Sequence, residues 1–363
     1  MKKIICMVLV IVIASIALVS CTSTITPTST PSWTDGELLS YSVRKASDYE
    51  LTLVNIGENF QQILPEDVAG TYVTRVTTVD AENYKVETTL DMVETFTPAT
   101  FGTDTALFER IKDKANQDPT DALTFNGTNI IVHTVVYSVV QFNSSTFLPT
   151  TSTKSVRSAV FMRATTVNGK KHDGQFEVND YTVETTYDYS AKSPKATVKT
   201  TLAEEETTTK LQKSSAGKTF DNEQLAFLLR SYSLDTLKAN LTTPITVFDS
   251  MQCKPLSLSL TVNSNPVISK YQIGGTWNGI NPDSGEILYY QTEDGTQYTD
   301  AKGNVVTTVQ RPVAQVYLVT GGKPIYYYFD NLNSDSQTFK NALIRMQQSY
   351  IVCEIDQASL ALL

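Results

Sequence analysis

Few side chains in this sequence can act as nucleophiles or metal ligands, so their positions decide most of the chemistry open to it. Four cysteines and two histidines occur in 363 residues. Cys21 directly follows an apolar run, Cys6 lies inside that run, and Cys253 and Cys353 stand alone in the last third. A thiol at the end of an apolar segment is placed to carry a lipid. Two further thiols in an exported chain can close a disulfide or remain two separately buried, unreactive groups, and the sequence leaves both open. His133 falls in an apolar run and His172 in the polar turn NGKKHDG (168–174), so no local pattern builds a metal site or a Ser-His-Asp triad. There is no phosphate-cradling glycine loop, nucleophile elbow or H-E-x-x-H pattern. No catalytic residue, metal or cofactor is assigned on these grounds. A carboxylate-dependent hydrolase stays open, because two acids need only the right separation in space. Its candidates are the acidic clusters AEEETTT (203–209) and QTEDGTQYTD (291–300), although Asp294-Gly295 and Lys302-Gly303-Asn304 read the second as hairpin tips. Aromatics concentrate in LYY (288–290), VYL (316–318) and YYYF (326–329). Trp277, Tyr326 and Tyr328 are therefore candidate binding aromatics, able to stack on sugars from an exposed row or to line an apolar cavity.

The segment before Cys21 has the parts of an export signal: Lys2 and Lys3, an apolar stretch from Ile4 to Val19, and small residues at the end. The stretch is shorter than the ~20 residues of a typical spanning helix. Leu18-Val19-Ser20-Cys21 resembles the lipobox of bacterial lipoproteins. That resemblance implies diacylglyceryl transfer to the Cys21 sulfur, cleavage before it, and retention at the cell membrane or outer membrane through the lipid. Each buried methylene contributes ~0.8 kcal/mol, so two or three acyl chains make a durable anchor. The residues that follow, TSTITPTSTPS (22–32), carry no charge and cannot bury a core, which suits a tether. Residues 1–20 thus read as a signal peptide and 21–33 as a tether.

Composition narrows the partners. The chain has 29 Lys plus Arg against 38 Asp plus Glu, a net charge of -9, and loss of Lys2 and Lys3 would take it to -11. No basic block occurs, which argues against nucleic acid and against electrostatic attachment to anionic lipid.

The elements that must position these residues are strands. Thr, Tyr and Val recur at period two between turn residues, the pattern of antiparallel sheet with one solvated and one packed face. YVTRVTTVD (72–80) and YKVETTLDMVETF (84–96) predict a hairpin around Ala81-Glu82-Asn83. NIIVHTVVYSVVQF (129–142) and RSAVFMRATTV (157–167) are more apolar and predict central strands. YTVETTYDYS (181–190), KATVKTTLA (195–203) and ETTTKLQK (206–213) predict a meander, and further strands follow at 245–251, 256–262, 286–292, 313–320 and 324–330. YKVETTLD (84–91) and YTVETTYD (181–188) agree at six of eight positions without a repeat in register around them, so they read as two strands meeting one requirement. FDNEQLAFLLRSY (220–232) predicts a helix: Asp221 and Gln224 form a capping box, Phe220 and Leu225 a hydrophobic staple, and Leu225, Leu228, Leu229 and Tyr232 one apolar stripe. Weaker helices are predicted at 336–348 and, short and on the surface, at 104–114.

Asp35-Gly36-Glu37-Leu38-Leu39-Ser40-Tyr41-Ser42-Val43 and TFDNEQLAFLLRSYSL (219–234) resemble two motifs, DGExLxYxV and FDNEQxxFLLR, of an uncharacterised family of exported bacterial β-rich proteins. The resemblance spans residues 33–265, implies a curved antiparallel sheet and supplies no activity. Relatives carry a PAGxF turn after the strand equivalent to LSLSLTV (256–262), where this chain has Pro266 and IGGTWNGINP (273–282). The expected fold is mainly β: a large curved antiparallel sheet, sandwich or half-open barrel with one or two short covering helices. One β-rich domain is expected over 34–265, with 266–363 as its Tyr-rich continuation or a small second β domain. The function expected is that of a lipid-anchored, non-catalytic extracytoplasmic protein holding an apolar ligand or an envelope partner on its sheet. A surface module for glycan or protein is the alternative, and the hydrolase a second one.

Overall fold

The computed structural model describes residues 33–54, 61–167, 170–190, 193–211, 218–231, 245–263, 270–274, 290–291, 298–299, 305–306, 308–320, 323–330, 341–356 and 359. The signal segment, nearly all of the tether with Cys21, and Trp277 lie outside them.

One sheet organises the molecule. Strands β1 (Leu38–Lys45), β2 (Asp67–Thr78), β3 (Asn83–Phe96), β4 (Ile130–Asn143), β5 (Pro149–Met162), β6 (Gln175–Asp188), β7 (Lys195–Thr200) and β8 (Thr207–Lys210) pair antiparallel, each with the next. The chain then starts again on the other side of β1. Strands β9 (Ile245–Asp249), β10 (Lys254–Asn263), β11 (Thr308–Thr320), β12 (Lys323–Asp330), β13 (Leu343–Gln348) and β14 (Ile351–Ile355) also pair in sequence. β14 pairs with β1, Val43 opposite Cys353, so the C-terminal strands belong to the same sheet as the N-terminal ones.

The alternation expected from the sequence sets the two faces. Leu39, Tyr41 and Val43 of β1, Val86 and Met92 of β3, and Val140 and Phe142 of β4 are buried in one core cluster. Thr182, Glu184 and Thr186 of β6 alternate with buried Val183, Thr185 and Tyr187. Such a sheet twists and coils, and here it curls until its ends meet. β8 and β9 do not pair through backbone among the described residues, so the sheet is barrel-like without closing. Side chains bridge the gap instead: Thr185 Oγ1 donates to Ser250 Oγ at 2.9 Å, Thr209 Oγ1 donates to the Cys253 carbonyl at 2.8 Å, and Phe248 sits edge-on to Tyr187.

Among the described residues three α-helices cover the sheet. α1 (Asp48–Leu53) begins with a capping box of Ser47 and Glu50. α2 (Thr105–Gln117) buries Leu107, Phe108, Ile111 and Ala115 against Phe96, Phe101 and Phe161, so it is a core element and not the short surface helix expected over 104–114. The helix expected over 220–232 is shorter than its pattern. Phe220–Asp221 pairs parallel with β9, Asn222–Gln224 is a 3-10 turn, and α3 (Leu225–Arg230) completes it, with the Asp221/Gln224 capping box in place. Tyr232 lies outside the described residues.

The helix expected over 336–348 is corrected. Its described part holds the strand Leu343–Gln348, residues 336–340 lying outside. The spacing looks helical because Arg345 and Gln347, which alternate with Met346, are themselves buried, and because a register shift opposite Tyr328/Phe329 puts Leu343 in the same core cluster as Met346. Period-two polarity is hidden when both faces of a strand are covered.

Candidate functional site

A cavity of about 240 Å³ opens on the concave face. The curl of the sheet brings its walls together from β2, β3, β4, β5, β12, β13 and β14, and the segment Asn222–Ala226 covers it. Leu90, Val136, Ile325 and Ile351 supply aliphatic surface; Tyr72, Tyr327, Lys154 and Glu223 supply polar groups.

The cover is held at several points. The Asp221 N–H donates to Gln224 Oε1 at 3.2 Å, Gln224 Nε2 donates to the Phe147 carbonyl at 2.9 Å, and the Glu223 N–H donates to Asp221 Oδ1 at 2.8 Å. Lys154 of β5 donates to Glu223 Oε1 at 2.7 Å. At the far end, Arg230 grips Glu37 with two hydrogen bonds, at 2.6 and 3.2 Å, and both side chains are buried. Trp33 stands edge-on to Phe227 at 5.8 Å. The two motif segments noted in the sequence therefore meet, Glu37 of the first pairing with Arg230 of the second.

Burial shapes the electrostatics. Asp221 is buried, and desolvation, followed by the neighbouring Glu223 charge, pushes its carboxyl up to about 6 despite the hydroxyl of Tyr187 at 2.5 Å. Lys154 is opposed by desolvation, yet the Glu223 carboxylate more than offsets this and leaves its pKa above the ordinary lysine value. Tyr72 and Tyr327 are both raised, chiefly by burial, so both phenols stay protonated and act as donors. Burial likewise pushes the Cys353 thiol, which lines the cavity, up to about 12.

The residues singled out from the sequence scatter. Cys353 lies in the main core on β14, beside β1, and Cys253 is half-buried in the turn before β10 against the cluster of Val183, Tyr187 and Phe248. Both are free thiols, which corrects the disulfide alternative: they pack in separate clusters. Tyr328 is corrected as a surface aromatic. It is buried, with the Arg345 guanidinium 5.7 Å from its ring centre, and Tyr326 beside it donates its hydroxyl to the Leu53 carbonyl at 2.9 Å. His133 is outward on β4, 2.8 Å from Asp91, and His172 is exposed on a separate short strand. The cluster at 203–209 is exposed at the turn into β8, and most of 291–300 lies outside the described residues. Asp221 and Glu223 are two acids close together, but only Glu223 lines the cavity, and Asp221 is engaged by Tyr187 and the cap. Among the described residues no group of three or more His, Cys, Asp or Glu gathers as metal ligands.

The polar lining was missed in the sequence. Lys154 shares parity with Ser152, whose side chain is buried, and that parity was the available signal; the Thr-Ser run around it, TTSTKS (150–155), hides which face is which.

On the opposite face of β12–β14 a charged network is packed under α1. Arg44 makes two hydrogen bonds to Glu50, each 2.8 Å, and two to Glu354 at 3.1 and 3.3 Å; Arg345 bonds Glu50 at 2.5 Å and also Glu354. Glu50 is held well below the usual carboxylate range, first by Arg44, against the cost of burial.

No family model matches the chain, and neither does any curated protein. Among solved structures it is similar to the crystal structure of a beta-barrel-like protein of a domain of unknown function, DUF1849, from Brucella abortus, at 8% identity and a TM-score of 0.40, covering 88% of this chain and 95% of that one.

Proposed function

We propose that this chain is a lipid-anchored extracytoplasmic binding protein, without catalysis, that holds an apolar ligand in the cavity of its curled sheet. It is tethered through Cys21 and acts as a carrier or assembly factor. The observation that carries the reading is the cavity itself. It is walled by strands from both halves of the chain and roofed by a segment fastened through Lys154–Glu223 and Arg230–Glu37. Aliphatic surface left open to solvent in an otherwise close-packed core has a physical reason when a ligand covers it. Anchoring is supported by Leu18-Val19-Ser20-Cys21 and the uncharged tether after it.

Two measurements on protein purified from a bacterial envelope test this. Mass spectrometry of the N-terminal peptide is expected to find Cys21 as the acylated first residue. Organic extraction of the folded protein is expected to release one small amphiphilic compound in near-stoichiometric amount. An unacylated, uncleaved N-terminus overturns the anchor, and an empty extract overturns the ligand.

A further inference from the structure

Several buried tyrosine hydroxyls are spent on structural partners. Tyr41 donates to the Leu343 carbonyl at 2.9 Å, Tyr187 to Asp221 at 2.5 Å, and Tyr350 to Glu94 at 2.6 Å. Tyr72 and Tyr327 line the cavity from β2 and β12, and neither hydroxyl meets a hydrogen-bond partner among the described residues. Tyr327 is only 6% exposed. Tyr72 is half-buried and neither hydroxyl is sealed away from the cavity, so both are donors open to an acceptor on whatever fills it. They belong together: Tyr327 acts on the titration of Tyr72, and Glu223 on that of both.

The remaining lining narrows what supplies it. Glu223 takes one of the three hydrogens of the Lys154 ammonium, so this end is rich in donors while its two charges cancel. A group that accepts hydrogen bonds is favoured over one recruited by net charge. Leu90, Val136, Ile325 and Ile351 suit a hydrocarbon chain. At ~30 Å³ per water-sized group, a cavity of about 240 Å³ has room for ~eight heavy atoms. That is too small for a two-chain lipid and suited to one chain of medium length.

The geometry points to a medium-length acyl group as the occupant, seated with its carbonyl oxygen accepting from the Tyr72 and Tyr327 hydroxyls and its chain against Leu90, Val136, Ile325 and Ile351. This rests on the ligand-holding reading above and adds the chemical class. The acyl group can come from a free acid or from an ester, which share the carbonyl.

The test is equilibrium dialysis of methyl pentanoate, hexanoic acid and octane, matched in size to the cavity, against the full chain in lipid nanodiscs, with protein-free nanodiscs as blank. Methyl pentanoate or hexanoic acid is expected to bind about tenfold tighter than octane, as two net hydrogen bonds allow. The tighter of the two names the source. Tyr327→Phe and Tyr72→Phe, which keep the ring and remove the hydroxyl, are each expected to cut that preference roughly threefold and to leave octane binding unchanged. Equal binding of all three probes, or a preference that survives both substitutions, overturns the carbonyl seat while the cavity remains a binding site. If no probe binds, or if Leu90→Trp leaves binding intact in a folded chain, the ligand-holding reading itself falls.

Discussion

Three consecutive tyrosines on β12 divide between two environments that treat the same side chain in opposite ways. Tyr326 and Tyr328 face α1, where one hydroxyl is spent on the Leu53 carbonyl and the other ring lies under Arg345. Tyr327 faces the cavity with its hydroxyl uncommitted. The outer face is a structural assembly: two arginines and two glutamates pair with one another and join the first strand, the first helix and the last two strands. The inner face carries apolar wall, donors without acceptors and an ion pair at the cover. The difference separates what fixes the fold from what is left over for a ligand.

The outer face is the place where a single change breaks most. Glu50→Ala leaves Arg345 buried with only part of its partner set, and removing one member of a buried pair costs ~3–5 kcal/mol. Urea unfolding is expected to show that loss, with binding to the cavity retained in whatever fraction remains folded. A loss below ~1 kcal/mol would mean that the network behaves as a surface one.

The cover sharpens the contrast through pH. The Asp221 carboxyl titrates near 6 in the folded chain against an ordinary 3.8. The folded state therefore binds the proton more tightly, and the contribution of Asp221 favours folding below pH ~4 and is lost as pH rises through ~6. About two pKa units correspond to ~3 kcal/mol. Asp221→Asn is expected to gain stability relative to the native chain by about that amount between pH 4 and pH 7, read from unfolding curves at both. A difference that does not change with pH would show that Asp221 is ionised throughout.

The two thiols test the packing of the inner wall. Cys353, raised to about 12 by burial, is expected to react with a thiol reagent at least ~100-fold more slowly than half-buried Cys253 in the native chain. Both are expected to react fully in denaturant without a reductant. Failure to label after denaturation would reveal a disulfide.

The smallest effect divides the tyrosines themselves. Tyr326→Phe is expected to cost about 1 kcal/mol, the net worth of one buried hydrogen bond, and Tyr327→Phe within a few tenths of zero. Equal costs would place both hydroxyls in structural use.

The sheet was legible because its alternation is clean wherever one face meets solvent, as in Thr182, Glu184 and Thr186 against Val183, Thr185 and Tyr187. Legibility failed where both faces are covered: Arg345 and Gln347 are polar yet buried, and the strand carrying them read as helix. The cover was partly visible, since the Asp221/Gln224 capping box is local, whereas its fastening to Lys154 and Glu37 spans 69 and 193 residues. The cavity was not legible at all. Tyr72, Lys154 and Tyr327 come from strands far apart in sequence, and nothing in a local pattern says that a curl of the sheet will bring them to one place.

Native mass spectrometry of the purified protein tests the cavity most directly, with Leu90→Trp and Ala226→Trp filling it from opposite walls. The native chain is predicted to carry one noncovalent small-molecule adduct and each folded tryptophan variant none. An adduct of equal abundance in all three, or none in the native chain, would contradict the cavity as the site.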